Sequence, residues 1–200
     1  MLSTTSRPTE TLASTPVLCN GRRMLSRLLA LLAATLGLIL SAAPAAAEVT
    51  VTFHSFNGSL FGRYPHTFVS FEGTLDSTGT HVSENFGFTA KSVTPAVLTS
   101  WVRHEVHSEG AEYIAASNIH FSVTVDDATY LAMKAEVFTW EDMPGKFYQL
   151  DSNNCVHFVA AIARIAGLEA DAPREYVRRP KSWLNYIAAK NPELGAAAVD

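Results

Sequence analysis

Three consecutive segments that alternate apolar and polar residues constrain this chain more than any other feature. Val49 to Phe56 reads Val-Thr-Val-Thr-Phe-His-Ser-Phe; His66 to Glu72 and His81 to Thr89 repeat the habit. A period of two, carried by β-branched and aromatic residues, is the signature of a half-buried strand. Asn57-Gly58 opens a loop that runs to Pro65, and Asp76 to Gly79 is a turn signal between the second and third strands. A hairpin turning there sets His81 opposite Thr74, at its tip, and residues near Thr89 opposite His66. Gly87 marks a point of close approach on the third strand.

The rest of the chain switches between periods. Thr94-Pro95 starts a helical turn in which Val97, Leu98, Trp101 and Val102 share a face, followed by a strand through Val106. Ile119 to Val125 is another strand. Asp126 and Asp127 cap a helix to about Trp140, with Tyr130, Leu131, Met133, Val137 and Phe138 as its apolar set. Asn153 or Asn154 caps a helix that continues through Ala166 and stops at Gly167. Val159, Ile162, Ala163 and Ala166 form its buried stripe. Pro180 to Lys190 is a short last helix with Trp183, Leu184 and Ile187 inward. The fold class is α+β: a small antiparallel sheet packed against a helix that carries a cysteine at its amino end.

The first 47 residues read as a signal peptide. Arg22, Arg23 and Arg27 precede an apolar run of thirteen residues, Leu28 to Leu40, and a run of small residues to Ala47. Such a run is short for a spanning helix. Cleavage after Ala47 is expected; Met24 as the start, a twin-arginine signal at Arg22-Arg23, and an uncleaved anchor are the alternatives. The chain is then exported, periplasmic or secreted, and meets a membrane only through that segment. Residues 48–200 form one domain by length. They hold 11 Lys and Arg against 18 Asp and Glu, a formal charge of −7, with no basic stripe, so nucleic acid is not an expected partner.

Cys155 carries the chemistry. With Cys19 in the presequence, it is the one cysteine of residues 48–200, so no internal disulfide forms there. It lies in the first turn of a helix, where unpaired N–H groups and the macrodipole favour a thiolate. A cysteine nucleophile also needs a base and donors for an oxyanion. His66 follows Tyr64-Pro65 at the start of a strand, a restricted position suited to a base. His157 points to a different side of the helix and reads as surface or structural. His104, His107 and His120 show no ligand spacing and read as scattered surface histidines, so no metal and no cofactor is expected. Trp101, Trp140 and Trp183 read as core.

Two motifs carry a resemblance: Pro65-His66-Thr67-Phe68-Val69, and Asn154-Cys155-Val156-His157-Phe158-Val159, with Phe86-Gly87-Phe88 between them and Ala166-Gly167-Leu168 after them. The chain from about Phe53 to Ala188 resembles the circularly permuted papain-like superfamily. Its members include NlpC-type peptidoglycan hydrolases and lecithin:retinol-acyltransferase-like enzymes. The resemblance implies a permuted papain-like fold, a thiol-protease-like hydrolase, Cys155 as nucleophile and His66 as base. It also implies a third, polar residue on the strand beside the histidine. His81 and Asn85 are the candidates; the hairpin register sets His81 at the tip, and Asn85 closer but out of line. The expected substrate is an amide or ester, with a peptide bond of peptidoglycan the natural choice for an exported hydrolase. A non-catalytic binding module on the same fold is one alternative. A lipid acyltransferase or thioesterase is another: an apolar groove beside Cys155 favours it, a polar cleft favours the cell wall.

Overall fold

The computed structural model describes residues 48–58 and 64–200. The signal, cleavage-site and start-codon expectations, and Cys19, lie outside them. Six strands form one sheet: β1 (Val49–Phe56), β2 (His66–Thr74), β3 (His81–Ala90), β4 (Val102–His107), β5 (Asn118–Val125) and β6 (Lys146–Tyr148), in the order β5-β1-β2-β3-β4-β6. Every neighbouring pair is antiparallel. Among the described residues four α-helices accompany it: α1 (Ala111–Ala115), α2 (Asp127–Glu141), α3 (Cys155–Ile165) and α4 (Pro180–Lys190). The architecture is mixed α+β, as the periodicities require. No described helix is long and apolar enough to cross a membrane.

The alternation in β1 and β2 sorts side chains onto two faces. Val49, Val51, Phe53, Val69, Phe71 and Phe88 are sealed on the face covered by α2, α3 and α4. Val156, Phe158, Val159 and Ile162 of α3 pack there, and Phe88 meets Phe158, Trp140 and Tyr148 in a ring cluster. The opposite face holds His54, Phe56, Phe68 and His66. Its cover is Tyr113 of α1, whose ring stacks on Phe56 and leans on Phe68.

The β2–β3 register runs without interruption from Phe68↔Gly87 to Thr74↔His81. At the far end of β2, the first paired residue is His66, and its partner is Phe56 on β1 rather than a β3 residue. The sheet therefore splits between β2 and β3 just where His66 begins.

Helix α3 starts where it does because of Asn154. Its side-chain oxygen accepts from the Val156 N–H at 2.9 Å, while its amide donates to the carbonyls of Leu150 at 2.7 Å and Val177 at 2.6 Å. The Asn154 N–H in turn donates to His157 Nδ1 at 3.3 Å, so His157 completes the cap. Asp126 caps α2 through Thr129, whereas Asp127 reaches across to accept the N–H groups of Asp76 and Ser77 in the β2–β3 turn.

Several inward placements are corrected. Leu131 and Phe138 of α2 are about half exposed, because only the Tyr130, Met133 and Val137 stripe reaches the sheet. The turn at Pro95–Leu98 buries nothing, and Leu98 and Trp101 face solvent. Trp183 is sealed in the core and Trp140 packs on its edge.

Asn154→Ala removes the cap and strands two carbonyls. A loss of about 2–4 kcal/mol is expected, read as a lower urea midpoint with an unchanged slope.

Candidate functional site

Cys155 is the first residue of α3 and is almost fully covered, at 6% exposure. The backbone N–H groups of Thr67, Val156 and Cys155 act on its sulfur and favour the thiolate. Burial acts the other way and is larger, so the thiol is pushed up to about 11. The expectation of a thiolate favoured by the helix amino end is thereby reversed. A dipole worth at most about 2 kcal/mol does not offset desolvation of an anion in the core.

His66 sits at the start of β2 on the face away from α3. Its ring lies over Gly87, and a Cβ at that glycine would stand 2.6 Å from Nε2. The same nitrogen faces the Glu109 carboxylate at 3.5 Å without forming a hydrogen bond, and it is closed off from solvent. His107, opposite Gly87 in β4, donates from Nε2 to the same Glu109 oxygen at 2.8 Å. The His66 and His107 rings stack with centroids 5.9 Å apart. Burial holds His66 down at about 4, against the raising influence of Glu109; His107 is raised by its bond to Glu109. At neutral pH the resting site holds a neutral thiol and a neutral His66 imidazole.

Glu109 was not singled out in the sequence. It follows β4 in an irregular stretch, and nothing in its local pattern separates it from other surface acids. Its place is set by Asn85, whose side chain spans its backbone: the Glu109 N–H donates to Asn85 Oδ1 at 2.6 Å, and Asn85 Nδ2 donates to the Glu109 carbonyl at 3.2 Å. Asn85 was a candidate for the third residue; the structure places it opposite Ser70, holding Glu109 rather than His66. His81, the other candidate, is not brought to the site. It pairs with Thr74 at the exposed hairpin tip and bonds the Gly73 carbonyl, because no bulge shifts the register toward His66.

Cys155, His66, His107 and Glu109 line one cleft of about 790 Å³, opened by the split between β2 and β3. Thr67, whose N–H acts on the sulfur, is the residue next to His66. No hydrogen bond joins sulfur and imidazole at rest, and alternation along β2 turns the ring toward the face opposite α3. Both groups nonetheless line that cleft. Its walls are mostly apolar, with Val93, Val97, Leu98, Tyr148, Leu150 and Val177 among them.

The remaining histidines are structural. His54 stacks on Phe68 and bonds Ser70 and Ser117; His120 is buried against Ser55. His104 packs on Phe88 and Phe147. His107 and His120 are thus not the surface groups expected. His66, His107 and Glu109 are also the one group of three metal-capable side chains found among the described residues, with ligand atoms within 4.8 Å of one another.

No family model matches this chain, and no curated protein matches it. Among solved structures, it is similar to the crystal structure of the type VI secretion system effector TseH, with a TM-score of 0.47 and 14% identity. The match covers 72% of this chain and 90% of that one.

Two outcomes follow from these environments. His54, His66 and His120 are each held down to about 4, below the 6.5 of an unfolded histidine. Between those values the unfolded chain binds more protons, so stability is complete above pH 6.5 and is lost as pH falls toward 4. Raised His107 works in the opposite sense, but it is one group against three. Melting temperature should fall steeply through that window. Separately, Gly87→Ala should displace the His66 ring, seen as shifted imidazole resonances, while circular dichroism retains the sheet signal.

Proposed function

We propose that this protein is a cysteine hydrolase acting on an amide or ester bond, with Cys155 as nucleophile, His66 as base and Glu109 as the group that positions His66. The observation that carries this reading is the shared cleft: a helix-start thiol and a strand-start imidazole open to one cavity, and the far nitrogen of that imidazole faces a carboxylate.

The resting protonation states favour base catalysis over a preformed ion pair. As substrate enters, His66 Nδ1, the ring nitrogen turned away from Glu109, takes the Cys155 proton. The sulfur attacks the carbonyl carbon, and the Cys155 and Thr67 N–H groups stand near the developing oxyanion. Glu109 stabilises the imidazolium through Nε2. The proton then passes to the leaving nitrogen or oxygen, leaving a thioester on Cys155. Water, deprotonated by His66, attacks that thioester; the acid departs and the sulfur regains a proton. His107 and Asn85 hold Glu109 in line.

The apolar walls favour a substrate with a hydrocarbon acyl group over a polar cell-wall peptide. Val93 and Leu98, both well exposed, extend that apolar surface. Export by the amino-terminal segment remains part of the proposal, and so does a peptidoglycan substrate as the second reading.

The test compares nitrophenyl esters of increasing chain length with muropeptides. Turnover should rise with acyl length, and a thioester adduct should appear by intact mass. Cys155→Ala should lose at least about 10³-fold in kcat and His66→Gln a similar factor. Glu109→Gln should lose about 10- to 100-fold in kcat with little change in KM. The kcat/KM profile should be flat at neutral pH and fall as His66 protonates near 4. Full turnover by Cys155→Ala would overturn the proposal. Tight substrate binding by the wild type with no adduct and no turnover would establish the non-catalytic binding module instead.

A further inference from the structure

We propose that His66, His107 and Glu109 form a binding site for a borderline divalent ion of the zinc(II) class, opening to the cleft.

Three metal-capable side chains converge there. His107 Nε2 and Glu109 Oε1 are 2.8 Å apart, and His66 Nε2 and the same oxygen are 3.5 Å apart. Ligands at about 2.0–2.1 Å from a tetrahedral zinc stand about 3.3 Å from one another; the three ligand atoms here lie within 4.8 Å of one another, so the widest pair closes by at most about 1.5 Å. The two imidazoles are nearly parallel, 20° apart in plane, and both direct Nε2 at the carboxylate. Two imidazoles and one carboxylate suit zinc better than calcium or magnesium, which prefer oxygen.

An independent observation points to a missing partner. Nε2 of His66 is buried and has no hydrogen bond, although a carboxylate oxygen lies 3.5 Å away. A buried polar atom is normally satisfied. Gly87 lets that nitrogen sit close against the β3 backbone beside Glu109, since a Cβ there would stand 2.6 Å from it. Asn85 fixes the Glu109 backbone, which limits the ordering the ion must impose. His66, His107 and Glu109 all line the cleft, which gives the ion its route in.

Occupancy has a chemical consequence, which rests on the hydrolase reading. A neutral imidazole that coordinates metal through Nε2 carries its single proton on Nδ1. That nitrogen then has no lone pair for the Cys155 proton. The ion therefore holds the hydrolase in an inactive state, and its removal restores the base.

Binding is measured on the full chain, freed of metal with a chelator, by competition for zinc(II) with a chromophoric chelator. One ion per chain is expected. His107→Ala and Glu109→Gln should each weaken binding at least about 100-fold, the upper end of what loss of an outer-shell partner alone costs, while Cys155→Ala should bind as the wild type does. Melting curves without metal establish that each variant is folded. If both ligand variants hold zinc within about threefold of the wild type, the site is overturned. Titration calorimetry of Cys155→Ala keeps the binding question separate from activity. If zinc binds as described yet leaves thioester formation on Cys155 unchanged, the inhibitory consequence is overturned while the site stands.

Discussion

The buried carboxamide of Asn154 is the contact on which the rest of the site depends. One side chain satisfies a helix amide and two carbonyls, from Leu150 and Val177. Those carbonyls belong to the segment entering α3 and the segment leading to α4. Helix start, approach and return are thereby fixed to a single group, and Cys155, the next residue, has its sulfur placed at the end of β2. A shorter polar residue could cap the helix; it would not reach both carbonyls as well.

From that placement the electrostatics follow. A helix amino end is often taken as sufficient to make a cysteine reactive. Here the sulfur is buried, and desolvation outweighs the nearby N–H groups. His66 is treated in the same way and stays neutral. Two neutral groups suit proton transfer during the reaction, with Glu109 ready for the charge that appears on the imidazole. The same neutrality leaves a lone pair free on the imidazole, the form a metal ion requires.

The strands and helices were legible because each has an undiluted period. Val49–Phe56, His66–Thr74 and His81–Ala90 alternate cleanly, and the turn at Asp76 to Gly79 sets a register that the structure keeps. The long helices were legible from their caps, Asp126 and Asn154. Helix α1 and strand β6 were not read, being only five and three residues long. Leu131 and Phe138 were misplaced because periodicity gives the width of an apolar stripe but not how much of it a neighbour covers. Glu109 escaped because its importance comes from Asn85 and His107, both remote from any local pattern.

Sequence by itself determined the α+β class, the hairpin register and the helix-start position of Cys155, since each depends on contacts within a few residues of the chain. Tertiary structure alone decided which face His66 takes, that Glu109 and not His81 stands beside it, and that the thiol is raised rather than lowered. Those properties depend on burial and on groups brought together from β2, β3, β4 and α3. Desolvation is a sum over surrounding atoms, and no stretch of sequence contains its own surroundings.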